Sequence, residues 1–293
     1  MKISIVTPSF NQAKFLEKTL LSVWTQQGNF DLEHIVVDGG STDGSVELLR
    51  KYDHLFRSGE FNYSCRSFTF RWWSSEDRGQ SDAINKGFVE STGEIVGWLN
   101  SDDTYIDSKS LSALQQPFLA NKVDIVIGNG YHIDEEDNVL NIPCLINNLD
   151  NSEFQQRLKT LSRYDFILQP ATLFRYNVWE SCPIEEEYHY IMDWLFWIEA
   201  QQNGFRFYKI NTFIANNRLH GDAKTVEGGI EKYEEGLALF RRYNVWCLNR
   251  IYYCLYLILL KARELPLAGK VINNIIFVGK KIRILLINRF RQY

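Results

Sequence analysis

The stretch EDRGQSDAINKGFVESTGEIVGWLNSDD, residues 76–103, decides the fold. Its apolar positions between Gln80 and Glu90 recur at helical spacing, which predicts a helix. Thr92 and Gly93 end that helix, and Ile95 to Leu99 form the short apolar run typical of a buried parallel strand. The stretch therefore predicts a helix followed by a buried strand, as in an α/β sheet.

Two adjacent carboxylates, those of Asp102 and Asp103, come directly after the predicted strand. Ligands of open α/β sheets bind at the carboxyl ends of the strands, and neighbouring carboxylates there are costly unless a positive charge is close. A divalent cation that carries a diphosphate satisfies both conditions. The alternative is a solvated turn in which Asp103 caps the next helix.

The segments before this stretch repeat the pattern of a strand followed by a helix. Lys2 to Pro8 is predicted as the first strand and Leu32 to Val37 as the second. The loop after the second strand reads DGGSTDG, and its glycines let a ligand approach the backbone closely. Asp38 in this loop can accept a hydrogen bond from a nucleotide base. An ordinary strand-to-helix turn is the alternative for the loop after the first strand, and in the second loop Ser41 or Asp43 can instead cap the next helix.

Three charged residues of the central stretch have two interpretations. Arg78 can neutralise a phosphate or contact a ribose, or it can pair with Asp77 or Glu76. Asp82 and Lys86 are four residues apart on one helix face, which suits an i,i+4 ion pair.

A second candidate lies in the aromatic-rich sequence YHYIMDWLFW, residues 188–197. Asp193 is the only carboxylate between Glu187 and Glu199. Apolar surroundings raise the pKa of a carboxyl group and so favour a role as general base, whereas a helix-capping aspartate is the alternative. His189 is predicted to be a neutral, packed histidine.

Taken together, these segments resemble the family 2 glycosyltransferases, which are inverting enzymes of the GT-A fold. The resemblance covers residues 1–225 and rests on Ile3–Phe10, Ile35–Ser45, the central stretch, Gln169-Pro170, Asp193 and His220, which occur in the family's order. It implies an α/β, nucleotide-diphospho-sugar transferase (GT-A) fold with a mainly parallel central sheet flanked by helices and a C-terminal helical extension.

The resemblance also implies roles for individual residues. Asp193 would be the catalytic base. Asp102 and Asp103 stand at the family's DXD-type metal motif, and His220 would add a ligand to the Mn²⁺ or Mg²⁺ cofactor. The residues implied to face the nucleotide-sugar donor are Thr7, Pro8, Phe10, Asp38, Asp77, Arg78, Gln80, Asp82, Asn85, Lys86 and Asp102.

The implied activity is that of a metal-dependent, inverting, hexosyltransferase-like enzyme of cell-surface polysaccharide synthesis. A sugar would pass from a nucleotide diphosphate, foremost a UDP-sugar, to a hydroxyl of a glycan or lipid-linked acceptor. A sugar-1-phosphate nucleotidyltransferase shares a similar sheet, but PSFNQ at residues 8–12 lacks its Gly-rich basic loop. A non-catalytic sugar-nucleotide-binding or membrane-scaffold protein is the third hypothesis. The presence of Asp102, Asp103 and Asp193 together argues against it.

Charge divides the chain into two parts. Residues 241–293 contain 11 Lys or Arg and one acid, a net charge near +10, whereas residues 1–240 contain 21 basic and 35 acidic residues, a net charge near −14. The apolar runs of the basic part, 251–260, 271–279 and 282–287, are shorter than the ~20 residues that a transmembrane helix needs. Such runs, flanked by cations, predict helices that lie in the interface of an anionic membrane. A helical pair that packs on the catalytic domain or forms a homodimer contact is the alternative.

These observations predict a catalytic domain over residues 1–240 and a basic amphipathic helical tail over 241–293. Within the domain, residues 1–130 would form the nucleotide-sugar-binding half and 131–240 the acceptor-facing half. Five cysteines without metal-ligand spacing favour reduced thiols, and the sequence opens directly on a strand pattern. We therefore expect a cytoplasmic protein, peripheral on the inner face of the cell membrane, that binds no nucleic acid.

Overall fold

The structure is a computed structural model that describes residues 1–120, 122–140, 149–221, 229–246 and 248–263. Within this part of the chain, nine strands form one mixed sheet that is flanked by helices, in the order β3-β2-β1-β4-β8-β6-β9-β5, with β7 paired to β6. The predicted α/β class is confirmed.

The first half of the sheet is parallel. It comprises β1 (Lys2–Ser9), α1 (Ala13–Trp24), β2 (Gln27–Asp38), α2 (Ser45–Ser58), β3 (Ser64–Ser74), α3 (Gln80–Val89) and β4 (Ile95–Trp98). Parallel neighbours need a crossover connection, and a helix lies between each consecutive pair of these strands. The helix and strand predicted for residues 76–103 are present as α3 and β4.

The second half of the sheet is mixed. Parallel pairing, which was predicted for most of the sheet, is found among β1–β4 and between β6 and β9. Strand β8 is antiparallel to β4 and β6, and β9 is antiparallel to β5. The elements are β5 (Thr104–Tyr105), α4 (Ser110–Ala120), β6 (Ile125–Ile133), β7 (Val139–Leu140), α5 (Asn151–Leu158), a 3₁₀ turn (Gln169–Ala171), β8 (Thr172–Arg175), α6 (Tyr176–Ser181), α7 (Met192–Gln202) and β9 (Phe207–Arg218).

An aromatic cluster around Trp24 fills the core beneath the parallel strands. The Trp24 ring lies 4.8–6.4 Å from the rings of Tyr52, Phe56, Phe61, Phe68 and Phe70. The polar and aromatic sequence of residues 52–67, which resists assignment from its pattern, therefore belongs to the end of α2 and the start of β3. Its aromatic residues pack against an indole that is distant in sequence.

The described residues from Gly229 onward form a second unit together with Ser162–Tyr164. It contains α8 (Gly229–Arg242) and α9 (Leu248–Arg263). Tyr233 and Phe240 of α8 contact Tyr253 of α9. In this division α8 belongs with α9, and the predicted domain boundary at residue 240 stays a prediction. The predicted apolar runs at 271–279 and 282–287 lie outside the described residues.

Candidate active site

The carboxyl ends of the parallel strands meet at one edge of the sheet. Ser9 at the end of β1 is the register partner of Asp38 at the end of β2, and Asp38 is the partner of Ser74 at the end of β3. Val6 of β1 pairs with Trp98, the last residue of β4. The loops that follow these four strands therefore share the edge at which α/β sheets bind ligands.

The first of these loops presents Phe10, whereas the two other predicted base contacts are buried. Phe10 is 60% exposed, whereas Thr7 and Pro8 are buried. The indole N–H of Trp24 donates to His34 Nδ1 at 3.2 Å, so His34 Nε2 carries the proton and donates to Thr7 Oγ1 at 3.0 Å. The Thr7 hydroxyl is therefore part of a buried hydrogen-bond network in the core.

Asp38 stabilises its own loop, and its predicted contact with a nucleotide base stays a prediction. Its side chain is buried and accepts hydrogen bonds from the amides of Gly40 and Ser41 and from two hydroxyls, Ser41 Oγ and Ser74 Oγ, at 2.6–3.1 Å. A Cβ added at Gly39 would lie 2.7 Å from Asp77 Oδ2. Glycine at position 39 thus lets this loop approach the Asp77 carboxylate.

Asp102 and His220 form the candidate metal-binding pair. Asp102 Oδ2 lies 2.9 Å from His220 Nε2, although the two residues are 118 positions apart. Asp102 follows β4, and His220 follows β9. Two adjacent ligands of an octahedral cation, each about 2.1 Å from the metal, are separated by about 3 Å. The pair therefore has a spacing that suits two adjacent ligands of Mg²⁺ or Mn²⁺.

Asp103 lies behind this pair, and its predicted role as a direct metal ligand stays a prediction. Its carboxylate is buried and accepts from Asn217 Nδ2 (3.1 Å), the Arg218 amide (2.9 Å) and Asn100 Nδ2 (3.2 Å). Burial and the charge of Asp102 raise the pKa of Asp103 well above its ordinary value, against the effect of these hydrogen bonds. Asp103 thus fixes the loop that presents Asp102.

A metal at this pair would need ligands from outside the chain. Across the described ranges, no group of three or more His, Cys, Asp or Glu side chains is placed to hold one ion. Magnesium-type sites commonly combine one or two carboxylates with substrate phosphates and waters. The donor set of Asp102 and His220 fits that arrangement.

A polar network that the sequence analysis missed connects α3 to this loop. Gln80 Nε2 donates to Asn100 Oδ1 at 2.7 Å, and Asn100 in turn reaches Asp103 and Gln169. Asn100 belongs to the quoted stretch, but an asparagine beside two aspartates gives no separate signal. The network brings Gln80, predicted to face the donor, to the carboxyl end of β4.

Arg218 is a second residue that the sequence analysis missed. Its buried guanidinium donates to the carbonyl oxygens of Asp102 and Asp134, both at 2.8 Å, and pairs with Asp137 at 2.6 Å. The turn at residues 134–138 also forms ion pairs with α1, through Lys14–Glu135 and Lys18–Asp137. This acidic turn is therefore bound both to α1 and to the loop that carries Asp102.

Asp193 lies in the first turn of α7, as predicted. It is half-buried, and its Oδ1 accepts from the Trp194 amide at 2.8 Å. Ser81 Oγ of α3 lies 2.8 Å from Met192 Sδ, so the start of α7 packs against the first turn of α3 beside Gln80. Asp193 is thereby placed near the functional edge of the sheet. His189 is exposed rather than packed.

Four other predicted donor contacts have protein partners. Arg78 pairs with Asp82 and with Glu186, and Lys86 also pairs with Asp82. Burial raises the pKa of Asp82, but the hydrogen bonds from Lys86 and Arg78 outweigh it and lower the pKa to about 2. Asn85 bonds to both backbone groups of Ile184 and to the Trp179 indole. The i,i+4 interpretation of Asp82 and Lys86 therefore applies, and Asn85 braces the loop before α7.

Sequence comparison identifies a family for most of the sheet. The profile of the family described as "Glycosyl transferase family 2" matches residues 4–180. A putative teichuronic acid biosynthesis glycosyltransferase of Bacillus subtilis, TuaG, is 28% identical over 135 residues, which is 46% of this chain and 48% of TuaG. The chain spans less than half the length of the curated relatives it matches.

Two solved structures share the fold. TarS of S. aureus, residues 1–349 in complex with UDP, superposes with a TM-score of 0.61 at 18% identity, covering 91% of this chain and 73% of that one. The mannosyltransferase PcManGT of Pyrobaculum calidifontis, in complex with GDP-Man and Mn²⁺, gives a TM-score of 0.61 at 15% identity, covering 99% and 83%. This chain therefore has the GT-A fold.

Proposed function

The chain belongs to glycosyl transferase family 2, and on this premise we propose that it transfers a sugar from a nucleotide-diphosphate donor to an acceptor hydroxyl. The observation that carries the proposal is the Asp102–His220 pair at the carboxyl edge of the sheet, where the Gly39 and Asp77 loops also meet. A UDP-sugar is the proposed donor. The UDP complex of TarS supports a nucleotide diphosphate in this fold, and the GDP-Man complex of PcManGT makes a GDP-sugar the alternative.

Asp102 and His220 would hold Mn²⁺ or Mg²⁺, whose charge would stabilise the diphosphate as it leaves. Phe10 presents an exposed ring on which a nucleotide base can stack, and Gln80 and Asp77 are the remaining polar contacts at this edge. Phe10, Gln80 and Asp77 are the proposed donor contacts. Asp38 and Asn85 are not among them, because hydrogen bonds to protein groups engage both polar atoms of each side chain.

Asp193 would act on the acceptor. Its carboxylate takes the proton of the acceptor hydroxyl while the hydroxyl oxygen attacks the anomeric carbon, and the bond from that carbon to the diphosphate oxygen breaks. One displacement of this kind inverts the anomeric configuration. The arrangement that supports the assignment is the packing of the α7 start against the first turn of α3, beside Gln80.

The proposed acceptor is a glycan or a lipid-linked saccharide of cell-surface polysaccharide synthesis, and the name of TuaG supports this class. We also propose that the second unit binds an anionic membrane surface on the inner face. Trp246, Ile251, Leu255 and Ile258 are 40–74% exposed, and the last three recur at helical spacing along α9. In the part of the chain that is described, no helix is long and apolar enough to cross a membrane.

A direct test is a thermal-shift screen of UDP, GDP and dTDP sugars with Mn²⁺. A ligand that binds only the folded state raises the melting temperature. We expect UDP-sugars to stabilise the protein only when the cation is present. The proposal would be contradicted if the melting temperature rose equally with and without Mn²⁺, or if no nucleotide sugar raised it.

A further inference from the structure

A groove runs along the free edge of the sheet, beside β3. Its volume is about 680 Å³, within the range of ligand-binding clefts. Among the described strands, β3 pairs only with β2, so one of its edges is open. The groove is lined by side chains of α2, β3 and α3.

Besides the buried Phe70, the apolar part of the groove consists of two tryptophans and a valine. Trp72 and Trp73 are adjacent on β3, so their indoles point to opposite faces of the strand, and both are half-buried. Trp72 also packs against the hydrophobic core, whereas Trp73 does not belong to that cluster. Val89, on the last turn of α3, is 64% exposed. The groove therefore offers apolar faces that solvent reaches.

The charged part of the groove is neutral overall. It contains three cations and three carboxylates, and each cation has a partner within the lining. The pairs are Arg57–Asp53 at 2.7 Å, Arg71–Glu90 at 3.4 Å and Lys86–Asp82 at 2.8 Å. A phosphate or other anion would find each cation already paired. A neutral ligand with many hydroxyls would find donors and acceptors side by side.

We propose that this groove binds a neutral saccharide segment. Sugar rings have apolar C–H faces that can lie on an indole, and their hydroxyls both donate to and accept from paired guanidinium and carboxylate groups. We assign this saccharide segment to the acceptor glycan, and that assignment rests on the proposed function. The groove follows α3 from Asp82 to Glu90, about 12 Å at the helical rise, and Asp82 is two residues from Gln80 at the candidate active site.

A peptide strand added to the open edge of β3 is the competing occupant. Charged side chains on an edge strand oppose such pairing. Arg71 projects from β3 and is held by Glu33 and Glu90, and Arg66 on the same strand is held by Asp31. These ion pairs favour the saccharide over the strand.

The test uses the full chain on a printed array of neutral hexose and N-acetylhexosamine oligosaccharides, followed by titration of the best binder. The variants are Trp73→Ala, which leaves the core indole of Trp72 in place, and Val89→Glu. Leu119→Glu is the matched control, because Leu119 is 59% exposed on the last turn of α4 and lies outside the groove. Binding of UDP with Mn²⁺ is measured on every variant.

We expect oligosaccharide binding to weaken at least about tenfold in both groove variants and to be unchanged in Leu119→Glu. UDP binding should be the same in all of them. The proposal is overturned if no neutral oligosaccharide binds, or if the groove variants bind it as tightly as the wild type. A concentration-dependent dimer that the groove variants lose would overturn it in favour of strand pairing. If the wild type does not bind UDP with Mn²⁺, that result contradicts the proposed donor site and not the groove.

Discussion

Asp102 and Asp103 show how two neighbouring carboxylates acquire opposite roles. The backbone turns after β4, so the first side chain reaches His220 while the second points into the protein and takes three hydrogen bonds. A sequence pattern marks both as candidate ligands. Only the hydrogen-bond partners distinguish Asp102, which we propose as a cation ligand, from Asp103, which fixes the loop.

Two substitutions separate these roles. Asp102→Asn should weaken Mn²⁺-dependent UDP binding at least about tenfold and leave the unfolding free energy nearly unchanged, because Asp102 remains partly exposed. Asp103→Ala should lower the unfolding free energy by about 1–3 kcal/mol, because it leaves buried donors without an acceptor. Calorimetric titration and denaturant unfolding of each variant measure the two effects. An Asp103→Ala protein of normal stability would contradict our assignment.

His34 gives the chain a defined response to acid. Burial lowers the pKa of His34 from the ordinary 6.5 to about 3. Between these pH values the unfolded chain binds a proton at His34 and the folded chain does not. The stability it provides is complete above pH 6.5 and is lost progressively as the pH falls toward 3. Between pH 7 and 5 the loss should be about 2 kcal/mol.

Denaturant unfolding at the two pH values measures this loss. Burial also lowers the pKa of His132, which acts in the same sense, so His34→Gln serves to isolate the share of His34. The variant should lose less stability between pH 7 and 5 than the wild type. Equal losses in the two proteins would show that His34 is not the group responsible.

At the scale of elements, α3 depends on one glycine for its place on the sheet. A Cβ added at Gly87 would lie 2.3 Å from Val6 Cγ1 of β1. Gly87→Ala should therefore lower the unfolding free energy by about 1–3 kcal/mol through overpacking. Gly221→Ala is the control, because a Cβ there meets nothing within 4 Å, and its effect should stay within about 0.5 kcal/mol. Thermal unfolding distinguishes them, and a neutral Gly87→Ala would refute the close packing.

The elements also show which features the sequence could predict. Apolar periodicity identified α1, α3 and β4, because each buries one regular stripe or run against the sheet. It did not assign residues 52–67, whose aromatic residues contact Trp24 from a distance in sequence. The edge where the candidate site lies was predictable, since parallel strands end together. The hydrogen bonds that reach Asp38 from Ser74, Asp103 from Asn217 and Arg218, and Asn85 from Ile184 and Trp179 were not predictable, because these partners come from other segments.

At the scale of the whole molecule, the second unit should decide membrane attachment. Replacing Ile251, Leu255 and Ile258 with Ser removes the exposed apolar stripe of α9 and leaves its charge unchanged. Sedimentation with vesicles that contain an anionic phospholipid should weaken at least about tenfold, because each side chain loses apolar area that the membrane would bury. The wild type should be partly released by high salt.

Leu119→Ser is the control for this experiment, since it removes an exposed leucine from α4. It should sediment as the wild type does. The substituted α9 protein should also bind UDP with Mn²⁺ normally, because the stripe lies in the second unit. Undiminished sedimentation of the α9 variant would exclude this stripe as the membrane contact.

Arg218 couples the turn at residues 134–138 to ligand binding at Asp102, because its guanidinium donates to the carbonyl oxygens of both Asp102 and Asp134. Thermodynamic linkage is reciprocal, so a ligand that stabilises the observed conformation of the Asp102 loop must also stabilise the closed conformation of this turn. The amides of Glu136 and Asn138 donate to Asp134 Oδ1 at 3.0 and 2.8 Å and exchange with solvent only when the turn opens. Deuterium uptake at these two amides should slow when UDP and Mn²⁺ are added together, which would make occupancy of the site measurable without any knowledge of the acceptor.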